Sequence, residues 1–289
     1  MNIGIVSRSF AGMPVAEAAA LMQSCGFNCT ELCMSHPDYD GWVYNGVSKI
    51  AENGITPKLT AQKAEVFRTH GIEVTALGVF TNLLTPDDEL RKACVDSFIY
   101  LMDCAAAAGI KNLSTELGFR PDKRGITTDV YESDFQRLKD VFALLGKEAG
   151  KRGQSICIEA CVIDVIPSAK RLRDFLLQVK EENGVTNLRV LLDPANFIAN
   201  SDEDDMFRYL APHTAYFHGK DRKLNAVKGV LVGDGDINWV KFFENFFAIT
   251  PYAPFIMEYA TKDTVALAAE RVRAYASQAK ANMTNRGRV

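Results

Sequence analysis

Short apolar runs alternate with longer stretches of helical periodicity along the whole chain. The runs lack the apolar–polar alternation of a half-exposed sheet, so they predict strands covered on both faces. They fall at residues 2–6, 28–34, 73–79, 111–115, 155–159, 188–193, 214–218 and 254–258. Helices are predicted at residues 15–25, 57–70, 86–108, 133–152, 167–180, 202–210, 237–247 and 263–281. The punctuation agrees. Pro57 stands at a first helical position, Asp87, Asp88 and Glu89 open a helix where acids suit the dipole, and Gly26, Gly71, Gly109 and Gly153 stand where helices stop. Residues 35–56 form one long polar and aromatic loop, of a length that usually carries function. The polar tail, residues 282–289, is expected to fray.

Eight strands in strict alternation with eight helices, undivided by any Pro-, Gly- or Ser-rich linker, predict one domain over residues 1–289. The predicted architecture is the α/β class, a (β/α)8 TIM barrel. A doubly wound open sheet would alternate in the same way. Closure is favoured by where the polar residues fall: the last four strands end on Glu159, Asp193, His218 and Glu258. Pro194, directly after Asp193, cannot continue a sheet ladder, so the acid is held at the strand's carboxyl end.

Composition narrows the function classes. Charged residues make up 24%, hydrophobic ones 47%, and the net charge is -3, so no basic field exists to attract nucleic acid. The sequence opens directly into a strand, with no basic segment leading a long apolar stretch, which predicts neither a signal peptide nor a membrane span. Seven cysteines, an odd number with several in apolar runs, predict buried free thiols and a reducing, cytoplasmic setting. Cys25, Cys29 and Cys33 are spaced four apart, and core packing is favoured there over a zinc site.

In a closed barrel the ends of the last four strands are neighbours on one rim, so Glu159, Asp193, His218 and Glu258 converge. Three carboxylates crowded together repel unless a cation lies among them. Three oxygen donors and one imidazole suit manganese, magnesium or cobalt better than a structural zinc, so one divalent ion, manganese first, is the expected cofactor. The alternative is that each residue separately caps a helix or pairs with a charge.

Several motifs around these residues resemble one family. Ile158-Glu159, Leu192-Asp193-Pro194-Ala195-Asn196, Phe217-His218-Gly219-Lys220-Asp221, Gly233-Asp234-Gly235-Asp236-Ile237-Asn238-Trp239 and Met257-Glu258 are similar to motifs of the xylose isomerase-like TIM barrels, a group of sugar epimerases, sugar isomerases and inosose dehydratases. The resemblance implies that Glu159, Asp193, His218 and Glu258 bind the metal and that Glu159 and Glu258 move protons. It implies a sugar epimerase or isomerase acting on a ketose or keto-sugar through an enediolate, with a keto-sugar or inosose lyase as the alternative. It also implies a homo-oligomer, and for some lyases a small second subunit. Asn196 stands where the family often has histidine; an amide donates a hydrogen bond to a substrate oxygen but does not titrate near neutrality.

Further substrate contacts are weighed against plainer roles. Glu116 ends the fourth strand and either meets the substrate or pairs with Arg120 or Lys123. His36 either reaches the sugar from the long loop or is solvated. Trp42, Tyr44 and Phe80 either wall the sugar or pack the loop. Lys220 and Arg222 either bind an anionic substituent or pair with Asp221, Asp234 or Asp236. An abasic-site endonuclease shares the barrel but needs extra histidines, and the chain has 4 in all.

Overall fold

The computed structural model describes residues 1–36, 55–120, 123 and 125–287. In chain order the elements are β1 (Ile3–Ile5), α1 (Val15–Ser24), β2 (Cys29–Leu32), α2 (Pro57–Thr69), β3 (Glu73–Gly78), α3 (Asp88–Ala107), β4 (Asn112–Glu116), α4 (Tyr131–Lys151) and β5 (Ser155–Glu159). They continue as α5 (Ala169–Asn183), β6 (Leu188–Leu192), α6 (Glu203–Leu210), β7 (Thr214–Gly219), the short β8 (Asp221–Arg222) and β9 (Gly229–Val230), α7 (Trp239–Ile249), β10 (Phe255–Met257) and α8 (Val265–Asn285).

Strands β1 to β7 and β10 close into a parallel barrel, with β1 hydrogen-bonded to both β2 and β10. The predicted TIM barrel is the fold. β8 and β9 form a separate antiparallel hairpin just past the carboxyl end of β7. Helix starts follow the capping chemistry: Thr56, Asp87, Ser168, Asp202 and Asn238 each accept a hydrogen bond from a backbone N–H of the first turn.

Two cores result from the period-two alternation of the strands. The larger lies between barrel and helices; there Phe217 packs against Phe207, Phe242 and Phe246. The smaller fills the barrel with Val6, Cys29, Ala76, Cys157, Leu191, Tyr216 and Ile256. Cys29 and Cys33 are buried free thiols, as expected of core packing, whereas Cys25 is only half-buried at the end of α1.

Two expectations need correction. The tail predicted to fray is helical to Asn285, because Met283 is buried and Asn282 and Arg286 both bond Glu244. The fourth helix starts two residues earlier than predicted, at Tyr131, whose ring stacks on Phe135. Trp42, Tyr44 and most of the long loop lie outside the described residues.

Candidate metal centre

Alternation along the strands builds the site. Cys157, Leu191, Tyr216 and Ile256 fill the barrel interior, and two residues further along each strand stand Glu159, Asp193, His218 and Glu258. One ligand atom from each of these four lies within 4.8 Å of the others, and all four side chains are buried. The structure thus brings together the four residues predicted from strand ends, at the carboxyl-terminal mouth where TIM barrels carry their chemistry.

Cationic groups thread this acidic cluster. Lys220 Nζ lies 2.6 Å from Asp193 Oδ2, 3.1 Å from Glu159 Oε1 and 3.0 Å from Glu258 Oε2. Arg8 pairs with Glu258 and lies over the Phe80 ring, 5.2 Å from its centroid. Asn196 Nδ2 donates to Glu159 Oε1 at 2.8 Å, and its Oδ1 accepts from Arg222 at 2.9 Å. The turn Pro194–Asn196 positions that amide, and Asp193 Oδ1 caps it by accepting from the Ala195 N–H at 2.9 Å.

His218 is held from behind. Its Nε2 lies 2.9 Å from Glu31 Oε2, which also accepts from the Tyr216 hydroxyl at 2.6 Å. Nδ1 is thereby turned to the cluster, 3.6 Å from Glu159 Oε1 and 3.4 Å from Glu258 Oε1, and has no hydrogen-bond partner there. A nitrogen lone pair aimed at carboxylates is repelled, so this atom calls for a proton or a metal cation. Orphaned Nδ1 and three clustered carboxylates therefore fit a divalent ion.

The electrostatics agree with a site built around positive charge. Burial opposes ionisation of Glu258, but Lys220, Arg8 and His218 together outweigh it and hold the carboxyl down at about 2. Glu159 is likewise held well below the usual range, Lys220 and His218 overcoming its burial. Asp193 goes the other way. Its burial, aided by Glu159 and Glu258, outweighs Lys220 and pushes it up to about 7. Burial disfavours charge on His218 and Lys220, yet the surrounding carboxylates raise both well above their ordinary values.

The other predicted residues fall in different places. The Lys220 ammonium bonds the cluster and the Arg222 guanidinium bonds Asn196, and only the Arg222 backbone N–H reaches Asp221; Asp234 pairs with Arg271, and Asp236 with Lys223. Glu116, Asn196, Lys220 and Arg222 line one open cleft of about 320 Å³ beside the cluster, with Tyr259 at its edge. Arg120 makes a bidentate ion pair with Asp134. His36 is buried, not solvated, with Nδ1 bonded to the Met13 carbonyl. Phe80 is buried under Arg8.

Two residues at the cluster were not predicted. Glu31 stands two residues after inward-facing Cys29, the same offset that marks the other four, and was hidden because Leu32, Cys33 and Met34 prolong the apolar run. Gly78 makes room for it: a Cβ there would lie 2.9 Å from Glu31 Oε1. Arg8 follows inward-facing Val6 at the same offset, but lies in a 3-10 turn after β1.

Fold and site together define a closed (β/α)8 barrel whose carboxyl-terminal mouth gathers four buried residues able to hold a metal ion. The chain belongs to the xylose isomerase-like TIM barrel family, whose model matches residues 19–280. Among solved structures it is similar to a xylose isomerase domain protein from Planctomyces limnophilus, at 18% identity and TM-score 0.71, covering 96% of each chain. It is similar to the IolI protein with a bound zinc atom, at 16% identity and TM-score 0.70, covering 99% of each chain. It is also similar to D-psicose 3-epimerase from Clostridium cellulolyticum H10, at 17% identity and TM-score 0.69, covering 97% of this chain and 98% of that one. At such identities the likeness establishes the fold. No match is found among curated proteins. No helix among the described residues is long and apolar enough to cross a membrane.

Proposed function

We propose that the protein is a divalent-metal-dependent epimerase or isomerase of a ketose or keto-sugar, working by proton removal and return beside the carbonyl. The observation that carries this reading is the buried set of Glu159, Asp193, His218 and Glu258 with ligand atoms within 4.8 Å of one another. These four would hold the ion through three carboxylates and Nδ1, and the donor set suits manganese, with magnesium or cobalt as alternatives. When bound, the ion supplies positive charge that polarises the sugar carbonyl and so acidifies the neighbouring carbon.

The protein's own groups do the rest. β5 and β10 stand three places apart in the barrel ring, so Glu159 and Glu258 approach a substrate from different sides. Glu258, ionised at neutral pH, takes the proton from the carbon beside the carbonyl, leaving an enediolate. Glu159 gives a proton to the opposite face for epimerisation, or to the neighbouring carbon for aldose–ketose exchange. Glu159, itself held ionised, must first take that proton from solvent, and Glu258 releases the abstracted proton to solvent afterwards, which returns the pair to its starting state. Asn196 keeps Glu159 oriented, and Arg8 does the same for Glu258.

The test is a solvent-exchange screen in D2O with manganese against ketoses, keto-glycosides and inososes, with products freed of metal and examined by NMR. Deuterium should enter the carbon beside the carbonyl, and Glu258→Gln should abolish that entry. Exchange that persists in this variant, or is absent with all three classes, rejects the reading. A product that has lost water or a glycosyl substituent would assign the same base to a lyase.

A further inference from the structure

We propose that Lys220 is the internal rival of the metal ion: its ammonium holds the three carboxylates of the metal-free site, and ion loading drives it out into the adjoining cleft. This rests on the metal reading above and goes beyond it, since it concerns how the site is charged when no ion is there. An ammonium has three N–H donors and no acceptor. Lys220 donates to Glu159 and Glu258 at 3.1 and 3.0 Å and forms an ion pair with Asp193 at 2.6 Å. Those are three of the four residues whose ligand atoms converge.

A divalent ion cannot share these oxygens with an ammonium in contact with all of them, because two like charges that close, in a buried site, repel strongly. One must yield. The doubly charged ion neutralises three carboxylates better, and lysine has a flexible four-carbon stem that lets its head move while its backbone stays. The direction of exit is built in. Lys220 already lines the open cleft shared with Glu116, Asn196, Arg222, Lys228 and Tyr259, and its Nζ is 5.6 Å from the Tyr259 ring centroid. Loading would therefore turn the Lys220 ammonium away from the carboxylates and toward the side of the cleft lined by Arg222 and Lys228.

The first measurement is Mn2+ affinity of the full chain by calorimetry, for wild type and Lys220→Met. Removing the rival should tighten Mn2+ binding by at least about tenfold. Equal or weaker binding by the variant, with wild type binding, overturns the exchange while leaving the metal site standing. Failure of both proteins to bind Mn2+ overturns the metal reading and the exchange with it. Because three unbalanced carboxylates could prevent the variant from folding, a second measurement uses wild type alone. Lys220 acetylation by acetic anhydride, scored by mass spectrometry against the exposed Lys92, should rise several-fold once calorimetry shows Mn2+ saturation. Acetylation that stays level or falls at saturation overturns the exchange.

Discussion

Glu31 Oε2 lies 2.9 Å from His218 Nε2, joining two strands that stand three places apart around the barrel ring. This bond decides which imidazole nitrogen faces the carboxylates, since a nitrogen engaged by Glu31 leaves only Nδ1 for an ion. Carboxylates behind metal-binding histidines typically contribute about 10- to 100-fold in metal affinity. Glu31→Gln keeps the shape but accepts less strongly from both Tyr216 and His218. Its Mn2+ affinity should fall within that range by calorimetry while the melting temperature stays close to wild type. An unchanged affinity would mean the bond is structural only.

Asn196 links Arg222 to Glu159, donating at 2.8 Å and accepting at 2.9 Å. Hydrogen bonds to charged groups contribute about 1.5–3 kcal/mol, so Asn196→Ala should lower kcat/KM by about ten- to hundredfold. The loss should appear mainly in kcat, because Glu159 is the group left unoriented. Steady-state kinetics on the substrate found by the exchange screen will show it. A loss expressed only as a raised KM would instead make Asn196 a binding residue.

Much of this site was legible because a strand's period is two and its carboxyl end is marked by an abrupt change from apolar to polar. Asp193 before Pro194, and Glu159, His218 and Glu258 after their apolar runs, all carry that mark. Glu31 does not: the run continues past it to Met34, although the strand itself ends at Leu32. Lys220 was visible as a charge but not as a partner of three strands, because its reach back to β5, β6 and β10 exists only once the barrel closes. Composition could not show that residues 282–285 remain helical either, since the contact holding Asn282 is with Glu244 on α7.

Asp221 explains a motif without entering the chemistry. Fully buried, it accepts from the N–H groups of Arg222, Gly233 and Ile237 and from the Trp239 indole at 2.7 Å. The glycine-rich segment from Gly233 to Trp239 is thus folded around one carboxylate, and Gly235 must be glycine, since a Cβ there would lie 1.9 Å from Asp221 Oδ1. Each buried donor left unpaired costs about 1–3 kcal/mol. Asp221→Ala should therefore destabilise by more than about 3 kcal/mol and lower the melting temperature by several degrees in calorimetry. Gly235→Ala should act in the same direction. A melt unchanged by both substitutions would reject this role.

His213 provides a pH dependence far from the metal cluster. It sits half-buried in the turn Ala211–His213, where burial first, and then Arg189, Arg173 and Lys180, lower its pKa below the ordinary value of 6.5. The unfolded chain therefore binds a proton here at a pH where the folded chain does not, so stability rises with pH across that interval. The contribution is intact above 6.5 and is lost as pH falls toward the folded-state value. Other groups titrate over the same range, so the informative quantity is the difference between wild type and His213→Gln. Thermal melts at a series of pH values should give a constant difference on the alkaline side and a shift in favour of the variant on acidification. A difference that does not change with pH would show that His213 keeps its ordinary affinity for the proton.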